Sequence, residues 1–257
     1  MRSTNLSGYR YRDSDMEIYL NGSKAVVHDL TKNKYFQVDE WDIPNAVRIK
    51  FVQSASRVSM LQAYIFTGAI LCLLLGNLFA SSVYSSTVSF SFLYLFVPYI
   101  VASVILHESA HLLCLKTFGR KHDKVGFKLH YFIFPAFYVR MNQSLLLSRA
   151  EKIVIHGAGV ATNLIINLIL LGLNLLLFKS NALSITLNLT ALALAYNMLP
   201  ILNSDGYRML LAFANINEFK HLKNNPMWIR IIKIVSWIFA FSYAWLIATE
   251  YAVELFK

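Results

Sequence analysis

The sequence predicts an all-α polytopic membrane protein with about five transmembrane helices. Of its 257 residues, 56% are hydrophobic and only 15% are charged. Soluble domains carry about 25% charged residues, so the composition excludes an ordinary soluble domain, and it is too apolar for a disordered chain. Between Val58 and Leu115 the single charged residue is Glu108. That stretch is long enough for two spans of about 20 residues each.

The expected spans alternate with connectors of different charge. Nine Lys and Arg residues precede the first span, none lies in 81–91, and eight lie between the second and third spans. Since basic loops stay inside, we expect a cytoplasmic N-terminus and an external C-terminus. These loops account for the net charge of +10, so no nucleic-acid partner is expected. We predict the spans at 61–80, 92–115, 153–178, 183–202 and 229–249.

Two segments outside the spans have the pattern of β-structure. Residues 1–57 form a predicted cytoplasmic module, separate from a membrane domain at 58–257. In that module, apolar runs flank Asn21-Gly22, which is typical of a hairpin turn, and 34–38 predicts another strand. The segment Gly126–Arg140 is rich in aromatic and β-branched residues, with Pro135 as an expected breaker. It predicts an interfacial hairpin that either offers an edge strand to a substrate or anchors the membrane surface.

An ionisable cluster interrupts the second span. His107-Glu108-Ser109-Ala110-His111 is an H-E-x-x-H sequence. On a helix, histidines four residues apart share a face and can bind one zinc ion, and the glutamate between them can act as the general base of a hydrolase. A buried polar pair is the alternative interpretation. Three ionisable groups within five residues of an apolar span favour the metal.

A catalytic zinc site needs a third protein ligand, and Asp205 is the candidate. Only Asp123 and Asp205 are aspartates beyond residue 42, and Asp123 lies in a basic polar loop. The Asp205-Gly206 pair alone is typical of a turn. However, His111 and Asp205 both fall near the cytoplasmic ends of predicted spans. Pro200 should end the fourth helix there and let Asp205 turn back toward the histidines.

In combination, these motifs resemble the site-2 protease family of intramembrane zinc metalloproteases. The likeness covers roughly 95–210 and rests on the H-E-x-x-H sequence and on Asn197-x-x-Pro200-x-x-x-x-Asp205-Gly206. A third element, Ala158–Asn163, has Val160 where the family usually has proline. The resemblance implies that His107, His111 and Asp205 bind one Zn²⁺ and that Glu108 is the catalytic base. No insertion is long enough for a PDZ domain, so the chain resembles a minimal bacterial member, similar to peptide-maturing zinc metalloproteases.

Three further residues are candidates for supporting roles. His156 either stabilises an oxyanion or is a packed histidine. Asn163 and Asn197 either position the substrate or join helices by hydrogen bonds. Gly157, Gly159 and Ala161 are expected to permit close contact between helices.

The sequence thus predicts a multi-pass protein of a bacterial cell membrane. Its expected activity is zinc-dependent cleavage of a membrane-embedded or membrane-associated peptide or protein near the cytoplasmic face. Within that activity, maturation of a small peptide competes with release of a membrane-tethered regulator. The alternative class is non-catalytic: a metal-binding, immunity or transport-accessory protein. An intact Glu108 favours the enzyme, because metal binding alone needs no base.

Overall fold

The chain combines a small N-terminal sheet with a bundle of helices. The computed structural model describes residues 8–22, 24–83, 92–130, 134–201, 203–218 and 222–255. The sheet is antiparallel, in the order β4-β3-β2-β1-β5. Its strands are β1 (Tyr9–Arg12), β2 (Met16–Asn21), β3 (Lys24–Asp29), β4 (Lys34–Asp39) and β5 (Val52–Gln53). The expected hairpin at Asn21-Gly22 and the strand at 34–38 are both confirmed.

Both faces of this sheet are buried. Side chains alternate along a strand, so Ile18 and Leu20 point to one face and Tyr19 to the other. The first face packs on Ile43, beside the short helix α1 (Asn45–Arg48). The second face packs on Leu146, in the segment that precedes the fourth helix. The sheet therefore rests on one end of the helix bundle, which we call the sheet end.

The remaining helices follow the sheet along the chain, with a two-stranded hairpin between the third and the fourth helix. Three of them are long and apolar enough to cross a membrane: Met60–Ser82, Leu93–Thr117 and Arg149–Phe178. These stretches lie in α2, α3 and α4, and a π-helical turn extends α4 to Phe178. The helices are α2 (Met60–Val83), α3 (Leu93–Thr117), α4 (Arg149–Leu173), α5 (Asn181–Met198), α6 (Asp205–Phe213) and α7 (Met227–Leu255).

The expected count of five spans is not confirmed. Helices α5 and α7 occupy the predicted spans 183–202 and 229–249, but neither is among the three apolar helices found in the described residues. Helix α5 is short and turns Ser184, Thr186 and Thr190 into the protein interior. As expected, it ends before Pro200, where Leu199 is already extended.

Helix α4 lies at the centre of the bundle. It begins with a capping box, in which Ser148 and Glu151 satisfy each other's backbone N–H groups. Its buried face packs against α2, α3, α5 and α6. Asn167, in the middle of this helix, donates to Asn77 Oδ1 of α2 and to the Leu187 carbonyl of α5, and accepts from Tyr99 of α3. These bonds join four helices at a buried point.

A two-stranded hairpin follows α3. Strands β6 (Lys124–His130) and β7 (Phe134–Arg140) pair in antiparallel register, which confirms the expected hairpin. Pro135 does not act as the expected breaker, because it lies within β7 opposite Leu129. A strand in a two-stranded hairpin has one unpaired edge, where a proline without an N–H costs no ladder hydrogen bond.

Candidate metal centre

The three predicted ligands come together near the sheet end. His107 and His111 lie one turn apart on α3, and Asp205 is the first residue of α6. His107 Nε2 is 2.8 Å from Asp205 Oδ2, His111 Nε2 is 3.5 Å from Asp205 Oδ1, and the two Nε2 atoms are 3.2 Å apart. The donor atoms of the three side chains all lie within 4.8 Å of one another.

These separations suit a tetrahedral metal. Zinc binds imidazole nitrogen and carboxylate oxygen at about 2.0–2.2 Å, which places neighbouring ligand atoms about 3.3 Å apart. Two histidines with one carboxylate are a known ligand set for catalytic zinc. His107, His111 and Asp205 therefore fit a single zinc ion by donor type and by spacing.

The turn between α5 and α6 directs Asp205 to the histidines. Ser204 caps α6 by accepting from the Tyr207 N–H. Gly206 lies against the end of α5, where a Cβ would be 2.0 Å from the Met198 carbonyl oxygen. Asn197 holds the carboxylate from α5: its Nδ2 donates to Asp205 Oδ2 at 2.9 Å, and its Oδ1 accepts from the Asp205 N–H at 3.2 Å. Asn197 thus lies beside the cluster as a residue that positions Asp205.

Hydrogen bonds also orient both imidazoles. His111 Nδ1 is 2.6 Å from the Ile155 carbonyl oxygen, which accepts a hydrogen bond from Nδ1–H and so leaves Nε2 as the free ligand atom. Asn163 lies 3.4 Å from His107 Nδ1 through its amide nitrogen, while its buried Oδ1 has no partner in the described part of the chain. Rotating that amide by 180° lets Oδ1 accept from His107 Nδ1–H. In that arrangement His107 Nε2 is also free for a metal.

Glu108 lies next to the cluster but does not belong to it. It is half-buried on α3, which packs against β7, and its carboxylate lies near the backbone of Val139. Glu108 thus lies between the two histidines in the sequence, while its carboxylate lies beside the hairpin. This position leaves it free of the ligand set, as a general base requires.

One glycine of α4 has a role that the sequence interpretation missed. A Cβ at Gly157 would meet Ile70 and Phe66 of α2, which agrees with the expected close helix contact. A Cβ at Gly159 would instead lie 2.5 Å from His107 Nε2 and 2.6 Å from His111 Nε2. The missing side chain of Gly159 therefore leaves space for the two imidazole Nε2 atoms. This role depends on how α4 packs against α3, so the sequence alone does not show it.

His156 lies outside the metal cluster. It is buried, with 7% of its surface exposed, and its Nδ1 has no hydrogen-bond partner among the described residues. Its ring lines a cavity at the sheet end, together with Lys152 and Arg208. The structure thus brings together His107, His111 and Asp205, with Asn163 and Asn197 in contact and His156 on a neighbouring wall.

A similar protein is known from Bacillus subtilis (strain 168), where it is named "Putative peptide zinc metalloprotease protein YydH". The two chains are 44% identical over 140 residues, which are 54% of this chain and 55% of that protein. This chain therefore spans about half the length of the relative that it matches. No family model and no solved structure matches the chain. The relative's name is consistent with the resemblance of the motifs to site-2 proteases.

Proposed function

We propose that this protein is an intramembrane zinc endopeptidase that cleaves a membrane-embedded or membrane-associated peptide. The observation that carries the proposal is the cluster of His107, His111 and Asp205, with donor atoms within 4.8 Å of one another and Glu108 beside it. A metal held only for transport or structure needs no adjacent base. The proposed site lies near the cytoplasmic face, because the basic segments of the chain concentrate at the sheet end.

Each residue has a separate task in this proposal. His107, His111 and Asp205 hold the ion, which when bound supplies Lewis acidity at a scissile carbonyl and makes water more acidic. Glu108 removes a proton from the attacking water and passes it to the leaving amine. Gly159 keeps the space at the imidazoles open, and Asn197 keeps the Asp205 carboxylate aimed at them.

The hairpin gives this site a way to bind an extended chain. Strand β7 contacts Glu108 through the Val139 backbone, and in the described residues its only pairing partner is β6. An extended peptide could add to the free edge of β7 and present its backbone beside Glu108. The peptide substrate in the name of the B. subtilis relative favours maturation of a small peptide over release of a membrane-tethered regulator.

The test uses Glu108→Gln in the native host. Glutamine keeps the shape of the side chain but cannot take a proton, so we expect cleavage to fall about 10²- to 10⁴-fold. Mass spectrometry of membrane and secreted peptides should show one uncut species accumulating, while the zinc content of the purified variant equals that of wild type. Identical peptide pools from expressed wild type and variant would contradict a proteolytic role.

A further inference from the structure

A cavity of about 530 Å³ opens at the sheet end beside the metal centre. Its walls come from the end of β7, the first turns of α4, helix α6 and the segment after α6. We call it the basic cavity, because three cationic side chains line it, in addition to His156. Its polar lining includes Arg140, Lys152, His156, Arg208, Asn217 and Glu218.

Two of its walls continue directly from the metal centre. Arg208 lies three residues after Asp205, one turn further along α6. His156 follows Ile155, whose carbonyl fixes the ring of His111. Helix α6, which carries Asp205, and helix α4, whose Ile155 carbonyl orients His111, therefore also form walls of the cavity.

A third wall continues from the proposed base. Arg140 follows Val139, whose backbone contacts Glu108. A neighbouring cavity of about 430 Å³ is lined by Val139 and shares Arg140 and Arg208 with the basic cavity. A peptide chain that leaves Glu108 along β7 would enter these two spaces first.

The charge of the basic cavity is not neutralised by the protein. Lys152 is only 7% exposed, and the partner of its ammonium group in the described residues is the neutral Asn217 Oδ1 at 3.0 Å. The guanidinium groups of Arg140 and Arg208 form no ion pair within the described part of the chain. Of the three cations only Lys152 is buried, and a buried cation without a counter-charge is costly, so the cavity favours an anion beside Lys152.

The acidic residue of the lining does not supply this counter-charge. Glu218 Oε1 is 2.8 Å from Lys233 Nζ, and Glu218 Oε2 accepts from the Tyr207 hydroxyl at 3.2 Å. Its carboxylate is therefore already engaged outside the cation cluster. The buried His156 also lines the cavity, and its Nδ1 has no hydrogen-bond partner among the described residues.

We propose that the basic cavity binds a carboxylate of the peptide substrate, held by Lys152 and Arg208. This inference rests on the proposed function and specifies its substrate class: a peptide with an acidic side chain or a free C-terminus close to the cut. Because Arg208 lies one helical turn from Asp205, we expect the carboxylate within a few residues of the scissile bond. A neutral peptide leaves the cations unpaired and binds less tightly.

Binding to the full-length Glu108→Gln protein, loaded with zinc in detergent, tests the inference without turnover. The probes are fluorescent peptides with an apolar stretch and a short polar tail. The tail carries aspartate or asparagine at successive positions, with a free or an amidated C-terminus. We expect the fully neutral peptide to bind about tenfold or more weakly than the best acidic form, as charge-assisted hydrogen bonds imply. The form that keeps its affinity shows whether a side chain or the C-terminus supplies the carboxylate.

Variants of the cavity make the test specific. In the Glu108→Gln background, Arg208→Gln and Lys152→Met should each abolish the preference for a carboxylate. Arg208 is exposed, so its variant remains informative if removing the buried Lys152 prevents folding. The matched control is Lys223→Gln, which removes an exposed positive charge outside the basic cavity and should keep the preference.

Three results would overturn the inference. Neutral and acidic peptides could bind alike, or the preference could survive in Arg208→Gln. Phosphatidylglycerol micelles could also protect the cavity from labelling of Lys152 while peptides do not, which would make it a lipid-headgroup site. Failure of the proposed function is separate: a carboxylate preference in a wild-type protein that cuts no peptide would refute the protease and leave the cavity standing.

Discussion

At the residue scale, the proposed metal ligands depend on neighbours that hold them. The sequence was sufficient to predict that His107, Glu108 and His111 lie together on one helix, because helical spacing fixes their relative positions. Asp205 followed from the scarcity of aspartates and from the position of Pro200. The space made by Gly159 could not be predicted, because it depends on which face of α4 turns toward α3.

Gly159→Ala should empty the metal site. The added methyl group would lie within 2.6 Å of both imidazole Nε2 atoms, so the histidines must move. We expect loss of bound zinc and of cleavage, measured by metal analysis and by the peptide assay. A loss of zinc would point to the metal site, because alanine in place of glycine in a helix otherwise stabilises the helix by up to about 1 kcal/mol.

The control for this change lies on the same helix. A Cβ at Gly172 has no atom within 4 Å, so Gly172→Ala should keep its zinc. Equal zinc content in the two variants would show that Gly159 has no special part in the site.

At the element scale, the short helix α6 is the main feature that the sequence interpretation missed. The sequence analysis predicted no helix after the fourth span and placed Asp205 where the chain turns back toward the histidines. Ser204 then caps a nine-residue helix, whose buried residues pack on α4. A turn and a helix start have the same local residues, so packing on α4 decided between them.

Gly206→Ala should disrupt this element. Its Cβ would lie 2.0 Å from the Met198 carbonyl oxygen, a backbone atom that cannot rotate away. We expect α6 to shift from α5 and Asp205 to leave the histidines, with weaker zinc binding in a competition titration. The control is Gly68→Ala on α2, where a Cβ meets nothing within 4 Å. Unchanged zinc affinity in Gly206→Ala would contradict the role given to this turn.

At the scale of the whole molecule, a buried ion pair joins the sheet to the helices. Glu17 of β2 lies 2.8 Å from Arg120, just beyond α3, and both side chains are at most 7% exposed. Strands β2, β3 and β4 were predicted from the apolar runs beside Asn21-Gly22 and from 34–38, whereas β1 and β5 were not predicted. The docking of the sheet was not predictable, because the two charges are 103 residues apart in the chain.

The ion pair makes docking of the sheet dependent on pH. Burial alone would raise the pKa of the Glu17 carboxyl, but the hydrogen bond and charge of Arg120, with Arg10, hold it below its usual value. A lowered pKa in the folded state stabilises the protein above the unfolded value of about 4.3, and this stabilisation is lost as the pH falls through the folded pKa. Protection of β2 and β3 from hydrogen exchange, taken relative to the intrinsic rate at each pH, should therefore be high at neutral pH and fall below about pH 4.

The control for the pH experiment is Glu17→Gln. The neutral side chain leaves Arg120 buried without its counter-charge, so exchange should be faster already at neutral pH, by an amount that reflects about 3–5 kcal/mol. The acid-dependent step that Glu17 contributes should disappear. An unchanged pH profile in the variant would exclude this ion pair as its cause.

Zinc content is the most direct test of the central claim that His107, His111 and Asp205 form one metal centre. The measurement compares purified wild type, Glu108→Gln, Asp205→Ala and Asp123→Ala. We expect one zinc per chain in wild type, in Glu108→Gln and in Asp123→Ala. The last variant is the control, because Asp123 is the other aspartate beyond residue 42. Asp205→Ala should lose the ion, since two histidines alone hold zinc weakly. A wild type without zinc, or full zinc content in Asp205→Ala, would contradict the account.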